Sequence, residues 1–258
     1  MNGTPRFSVV IPAYNSEHVI GRAVSSCLAQ TVQPEEIIII DDCSTDGTAS
    51  AISSIGSPLV KYFRNAENKG PSFSRNEGML KASGDWILFL DADDRFHPDK
   101  IRIVQKCLQA HRDILAIGHR FSIGMDAGPA ANVPAPRKLT VRQVLLRNPA
   151  VTPSLAVARN NGIFFDEQIR YAEDHDFILR TAEAVGFWML DLPLCTLGRA
   201  PLSAGGQSSH RWQMRKGEMK MYLNYARRNR RSLIIPGLLF FSLLKHVRFK
   251  FFPRGGSK

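Results

Sequence analysis

The run Trp86-Ile87-Leu88-Phe89-Leu90-Asp91-Ala92-Asp93-Asp94 decides how this 258-residue chain is read. Five apolar residues with the composition of a buried strand stop abruptly at three acids, two of them spaced Asp-x-Asp. In an open α/β sheet, ligands bind outside the carboxyl ends of the strands. Carboxylates crowded at such a place repel one another unless a cation joins them. Oxygen-only ligands suit a hard ion, Mg²⁺ or Mn²⁺, of the kind that bridges to substrate phosphates. The plainer reading is a polar turn into a helix that opens near Pro98, with Asp94 or Asp99 as its cap. On this segment alone both readings stand.

Working outward, residues 7–11 read as a buried strand and Pro12-Ala13-Tyr14-Asn15 as the turn after it. Ser16 is expected to cap a helix on which Val19, Ile20, Ala23, Val24, Cys27 and Leu28 recur at helical spacing. Residues 36–40 form a second strand running into Asp41-Asp42-Cys43-Ser44, with a short helix after it. A strand over 59–63 and helices over 72–82 and 100–111 continue the alternation, which predicts βαβ units and a largely parallel sheet. Further strands are expected at 114–117, 154–157 and 187–191, and helices at 140–147, 174–185 and 213–231. The stretches 124–137 and 198–210 read as loops. Three strand ends, at Pro12–Asn15, Asp41-Asp42 and Asp91–Asp94, would then lie along one sheet edge. Neither GxGxxG nor GxxxxGK[ST] follows the first strand, which counts against a dinucleotide-binding fold and a P-loop NTPase.

The net charge of +11 is unevenly placed. Residues 199–258 hold 14 Lys and Arg against one acid, Glu218, for a net of +13, and the rest of the chain sums to −2. That asymmetry points to an anionic partner for the tail, a membrane surface or nucleic acid. The four cysteines are scattered with no CxxC pair, so neither a zinc site nor a disulfide framework is suggested. Residues 1–6 lack the charged region and apolar core of a signal peptide, so a reducing, cytoplasmic setting is expected.

The segments SVVIPAYN, IIIIDDCSTDGT, NKGPSFSRNEG, ILFLDADD, FDEQIRYAEDHDFILR and QSSH, in this order and at this spacing, resemble glycosyltransferase family 2 of the bacterial polysaccharide type. The likeness runs from about Phe7 to His210. It implies the GT-A fold, with a central mostly parallel sheet flanked by helices, and inverting transfer from a nucleotide-diphosphate sugar, UDP-linked in our expectation. By the same resemblance, Pro12, Ala13, Tyr14, Asn15, Asp41, Asp42, Arg75, Asp91 and Ala92 hold the nucleotide sugar. Asp93, with Asp91 and His210, would hold Mg²⁺ or Mn²⁺. Asp174 would be the general base that takes the proton of the attacking hydroxyl, with Glu173 in support. Residue by residue, the plainer alternatives are turn chemistry for Asp41 and Asp42, a surface ion pair for Arg75, dipole-favoured acids for Glu173-Asp174, and a solvated loop for His210. Asp176 and Arg180, four apart, read as an ordinary helix ion pair.

The expected organisation is a catalytic domain over 1–212, with a donor half over 7–120 and an acceptor half over 121–212, and a basic, partly apolar helical tail over 213–258. The apolar run 233–244 is too short to cross a bilayer alone. With Lys245, His246, Arg248, Lys250 and Arg254 interleaved with phenylalanines, it suits a peripheral anchor at the inner face of the cytoplasmic membrane. Expected partners are the donor and a glycan or lipid-linked glycan acceptor in surface polysaccharide synthesis, without nucleic acid. Two rivals remain. A metal-dependent nucleotidyltransferase leaves Glu173-Asp174 without a role. A non-catalytic nucleotide-sugar or nucleic-acid binder would use the tail.

Overall fold

The computed structural model describes residues 3–124, 133–199, 210–230 and 232–251. In chain order the elements are β1 (Phe7–Ala13), α1 (Ile20–Leu28), β2 (Glu36–Asp41), α2 (Thr48–Ser53), β3 (Val60–Arg64), α3 (Pro71–Lys81), β4 (Trp86–Phe89), β5 (Arg95–Phe96) and α4 (Lys100–Ala110). They continue with β6 (Ala116–Ile123), β7 (Arg137–Leu139), α5 (Val141–Leu146), β8 (Leu155–Ala158), α6 (Glu173–Ala184), β9 (Phe187–Leu197), α7 (Arg211–Arg228) and α8 (Ile235–Phe251). One sheet joins the strands in the order β3-β2-β1-β4-β8-β6-β9-β5, with β7 paired to β9.

Each central strand is apolar on both sides because helices cover both faces of the sheet. Alternate residues part accordingly. Val9, Ile11, Ile37, Ile39, Leu88 and Leu90 pack under α1 and α4. Val10, Ile38, Ile40, Ile87 and Phe89 pack against α3, α5, α6 and α7. Leu238 of α8 joins this second cluster, so part of the tail is built onto the domain.

The half running from β3 to β4 is parallel throughout, as the βαβ alternation predicts. The second half is mixed: β8 lies antiparallel between β4 and β6, and β6 pairs parallel with β9. Strands β5 and β7 are not anticipated, being two and three residues long, too short to show a period. Strand β7 falls at the end of the stretch expected to be loop, of which residues 125–132 lie outside the described residues. Strand β9 outruns its expected end because a shift in register opposite Arg120 takes up Pro193, which sequence pattern reads as a break.

The expected caps fail as well. Ser16 begins the first helix through its carbonyl, while its hydroxyl turns back to Tyr14 O. Asp99 stands before α4 but its carboxylate accepts from Thr31 and Arg102, and Asp94 accepts from Gly198 N. Capping therefore does not account for the acidic strand end.

Candidate active site

The strand order dictates where a site can form. From β1 the chain moves outward to β2 and β3, then returns on the other side of β1 as β4. A crevice at the carboxyl ends of such a reversal is the usual ligand site of an open α/β sheet. A cavity of about 450 Å³ lies there, lined by Pro12, Ala13, Tyr14, Asn15 and Asp42 from the strand ends and by Gly70, Pro71, Ser74 and Arg75 from the start of α3. Asp91, Ala92 and Asp93 line its other side, with Asn68, Arg170 and Arg199. Tyr14 leaves half its surface exposed at this edge.

Local conformation around the cavity is unusual. Asn15, Cys43 and Ala172 adopt positive φ (46°, 64° and 59°) at the ends of β1 and β2 and just before α6. Such backbone costs on the order of 1–2 kcal/mol per residue outside glycine and persists only where the surroundings hold it.

Asp42 is buried and binds the loop that leads into α3. Its oxygens accept from Asn65 Nδ2 (2.7 Å), Lys69 N (3.0 Å) and Gly70 N (2.7 Å). Asp41 does not reach the cavity, contrary to expectation. Its side chain is fully buried in β2, where Ser44 N donates at 2.8 Å and Tyr62 Oη at 2.7 Å.

Arg75 is the hinge of the site. Its guanidinium is buried, with Nη2 donating to Asp91 Oδ1 (2.8 Å) and Nη1 to Glu173 Oε1 (3.2 Å). Phe165 lies beneath it, 5.3 Å from ring centroid to guanidinium carbon. Asn76, the next residue on α3, holds the Phe165 backbone at both N and O. The surface ion-pair reading of Arg75 is thus replaced by a buried bridge between the acidic end of β4 and the start of α6. Arg180 and Asp176 form the expected i,i+4 pair on α6, at 2.7 Å.

Asp174 follows Glu173 on the outer side of that bridge. Asn148 Nδ2 donates to its Oδ2 at 3.0 Å and His175 N to its Oδ1 at 2.7 Å. Burial pushes Glu173 up to about 7 against the opposing charge of Arg75, and the Asp174 charge adds to the rise. Neither acid lines the cavity; Glu173 meets it through Arg75.

At the end of β4, Arg75 answers Asp91, while Asp93 and Asp94 carry raised carboxyls. Burial, then the Asp91 charge, raises Asp93, and the same two causes push Asp94 up to about 8. Arg199 stands 3.5 Å from Asp93 as a partial counter-cation. Among the described residues, no three His, Cys, Asp or Glu close into a ready-made metal cage. Asp91 and Asp93 both face the cavity, Asp91 with one oxygen bonded to Arg75 and Asp93 raised by burial with Arg199 at 3.5 Å, and two such carboxylates fit Mg²⁺ or Mn²⁺, which keep water or substrate phosphates as remaining ligands.

His210 does not join them. It precedes α7 with its ring edge-on to Tyr171, centroids 6.2 Å apart, and is exposed and outside the cavity lining. Gln207, Ser208 and Ser209 lie outside the described residues. Arg170 and Arg199 were not anticipated. The first sits three residues before Glu173, inside a segment already singled out; the second reaches the site only because β9 extends to Leu197.

The sequence profile described as "Glycosyl transferase family 2" matches residues 8–163. The succinoglycan biosynthesis protein ExoO of Rhizobium meliloti (strain 1021) is 30% identical over 200 residues, covering 70% of this chain and 57% of that protein. The chain spans about half the length of the curated relatives it matches. Staphylococcus aureus TarS 1-349 in complex with UDP-GlcNAc superposes with a TM-score of 0.69 at 21% identity, over 95% of this chain and 73% of that one. Mannosyltransferase PcManGT of Pyrobaculum calidifontis, in complex with GDP-Man and Mn2+, gives 0.64 at 16% identity, over 97% and 76%. These neighbours share the GT-A architecture found here. With the profile matched across most of the chain, from β1 to beyond β8, the chain belongs to glycosyltransferase family 2.

Proposed function

We propose that this chain transfers a sugar from a UDP-linked donor to a hydroxyl of a glycan or lipid-linked glycan, with inversion, in the assembly of a surface polysaccharide. The observation that carries this reading is the Arg75 bridge, which ties the acidic end of β4 to Glu173, the residue before Asp174. Such a bridge sets a leaving-group end and an acceptor end at one fixed separation.

On this reading the cavity takes the nucleotide. Tyr14 offers a ring face to the base. Asp42 has three of its roughly four lone-pair sites filled by the α3 loop, which leaves one for a base N–H. The first turn of α3 and Arg170 face the diphosphate, since helix N-termini and guanidinium groups favour anions. Asp91 and Asp93 would hold Mg²⁺ or Mn²⁺, which supplies Lewis-acid stabilisation to the departing diphosphate. ExoO's name supports the polysaccharide setting, the UDP-GlcNAc bound to TarS supports the donor class, and the Mn²⁺ bound with GDP-Man to PcManGT supports the metal.

Asp174 removes the proton from the acceptor oxygen as that oxygen bonds to the anomeric carbon. The bond from that carbon to the diphosphate oxygen breaks, and its electron pair leaves with the diphosphate. Asn148 on one Asp174 oxygen orients the carboxylate without neutralising it. Glu173 keeps Arg75 in place. We place the catalytic unit over 1–212 and the tail over 213–258 as a peripheral contact with a membrane surface.

The test is a transfer and hydrolysis assay over a panel of nucleotide sugars with Mn²⁺ or Mg²⁺, the product anomer read by NMR. The expected result is use of at least one UDP-sugar with an inverted product; no turnover with any donor, or retained configuration, overturns the reading.

A further inference from the structure

The tail divides its apolar residues between two environments. On one side α8 packs into the domain: Leu238 is buried, and the buried Ser242 hydroxyl donates to Glu218 of α7 at 2.6 Å. On the other side Leu233 is 95% exposed, Phe240 62% and Leu244 48%, with Ile234, Phe241 and Leu243 beside them. Residues 237, 240 and 244 share one face of α8, Leu233 lies in the 3₁₀ turn 232–234 that leads into it, and Gly237 adds no polar group. A contiguous apolar patch rimmed by charge marks an interaction surface.

Within the tail the exposed charge has one sign, and Glu183 of α6 meets it at Arg228 and Asn229. Glu218 is the single acid in residues 199–258, and it is buried under Arg215, Tyr222 and Ser242. Arg211, Lys216, Arg227 and Arg230 are exposed on or just beyond α7. Trp212, 44% exposed, stands beside Lys216 at the start of α7. No described helix is long and apolar enough to cross a membrane. Apolar and aromatic residues among cations, with the tail's single acid buried, match an anionic bilayer interface. A second copy of the chain would bring two strongly cationic faces together, and nucleic acid would leave Leu233 and Phe240 in water.

We propose that α7 and α8 dock on an anionic lipid bilayer, the α8 stripe entering the interface and the α7 cations meeting lipid phosphates. Helix α7 is pressed onto the site: a Cβ on Gly217 would fall 1.9 Å from Tyr171 O, and Tyr171 follows the cavity residue Arg170. Docking would therefore hold the Asp174 side at the lipid surface. That last consequence rests on the glycosyl-transfer reading; the docking itself does not.

The experiment is co-sedimentation of the full chain with vesicles of phosphatidylcholine, alone or with about 30% phosphatidylglycerol. A Phe240→Glu/Leu244→Glu variant and a Leu233→Glu variant are compared with wild type, and each is checked by thermal melting and UDP-sugar binding. Wild type should bind the anionic vesicles roughly tenfold more than the neutral ones, less at high salt. The variants should lose roughly tenfold or more while melting and binding donor as wild type does. Equal vesicle binding by wild type and variants overturns the proposal, as does indifference to phosphatidylglycerol. A dimer that the double variant abolishes, or duplex DNA retained in place of vesicles, overturns it in favour of those partners. Vesicle binding without donor binding leaves docking intact and removes the reaction; the reverse outcome does the opposite.

Discussion

Glu36 and Asp94 are both buried carboxylates on the same sheet, at opposite ends of it, and they are pushed in opposite directions. Glu36 opens β2. Burial pulls it upward, but Lys61, Ser8 and both donors of Ser83 bring it down to about 2. Asp94 follows β4, receives one backbone N–H from Gly198, faces Asp91, and rises to about 8. The amino end of the sheet has satisfied its charge and serves as scaffold. The carboxyl end leaves Asp93 and Asp94 raised even though Arg75 bonds Asp91 and Arg199 approaches Asp93, which suits the cation proposed for it. Strained backbone at Asn15, Cys43 and Ala172 gathers at this second end.

The comparison breaks first at Asp174. Asp174→Asn should lower transfer by about a thousandfold, within the range of a lost general base, while donor affinity stays within about twofold by calorimetry. A loss of donor binding instead would move Asp174 to the leaving-group end. Next, Asp93→Ala should weaken donor binding in Mn²⁺ by about a hundredfold, and EDTA should do the same to wild type.

Glu36→Gln tests the scaffold end. The folded pKa of Glu36 lies below its ordinary value, so its contribution is present above about pH 4.5 and is lost as pH falls towards about 2. The variant should lose about 2 kcal/mol at pH 7 in urea unfolding and show a shallower acid limb, with turnover per folded molecule unchanged. Asp94→Asn should do the reverse, by less. A carboxyl raised to about 8 opposes folding when ionised, so metal-free wild type should gain stability as pH falls from about 8 towards its ordinary value of about 4. The variant should melt a few degrees higher at pH 8 and lack that slope. A lower melting temperature there would mean that Asp94 is scaffold after all.

Much of this was legible in the sequence for a physical reason. Strands buried on both faces must be apolar runs, and residues 37–40 and 86–90 end in acids, so strands and site edge announce themselves together. The complete set of segments also carried the family. What escaped depends on partners far along the chain. Strands β5 and β7 exist only as partners of β9, and Arg199 lines the cavity only because β9 passes through Pro193 at an irregular register. Adjacency in sequence joins Asp41 to Asp42, yet neighbours along a strand point to opposite sides. Asp41 turns instead to Tyr62 and Ser44. The resemblance gives Arg75 to the donor; its bridge to Glu173 joins residues 98 apart and leaves no local trace.

The central claim is that the leaving group and its metal belong to the Asp91–Asp93 end while the proton is taken at Asp174. Calorimetric titration of wild type, Asp93→Ala and Asp174→Asn with UDP-sugars, with and without Mn²⁺, separates the two ends most directly. The account predicts Mn²⁺-dependent binding that Asp174→Asn retains and Asp93→Ala loses. Donor binding by Asp93→Ala equal to wild type, or no UDP-sugar binding by wild type in Mn²⁺, would contradict it.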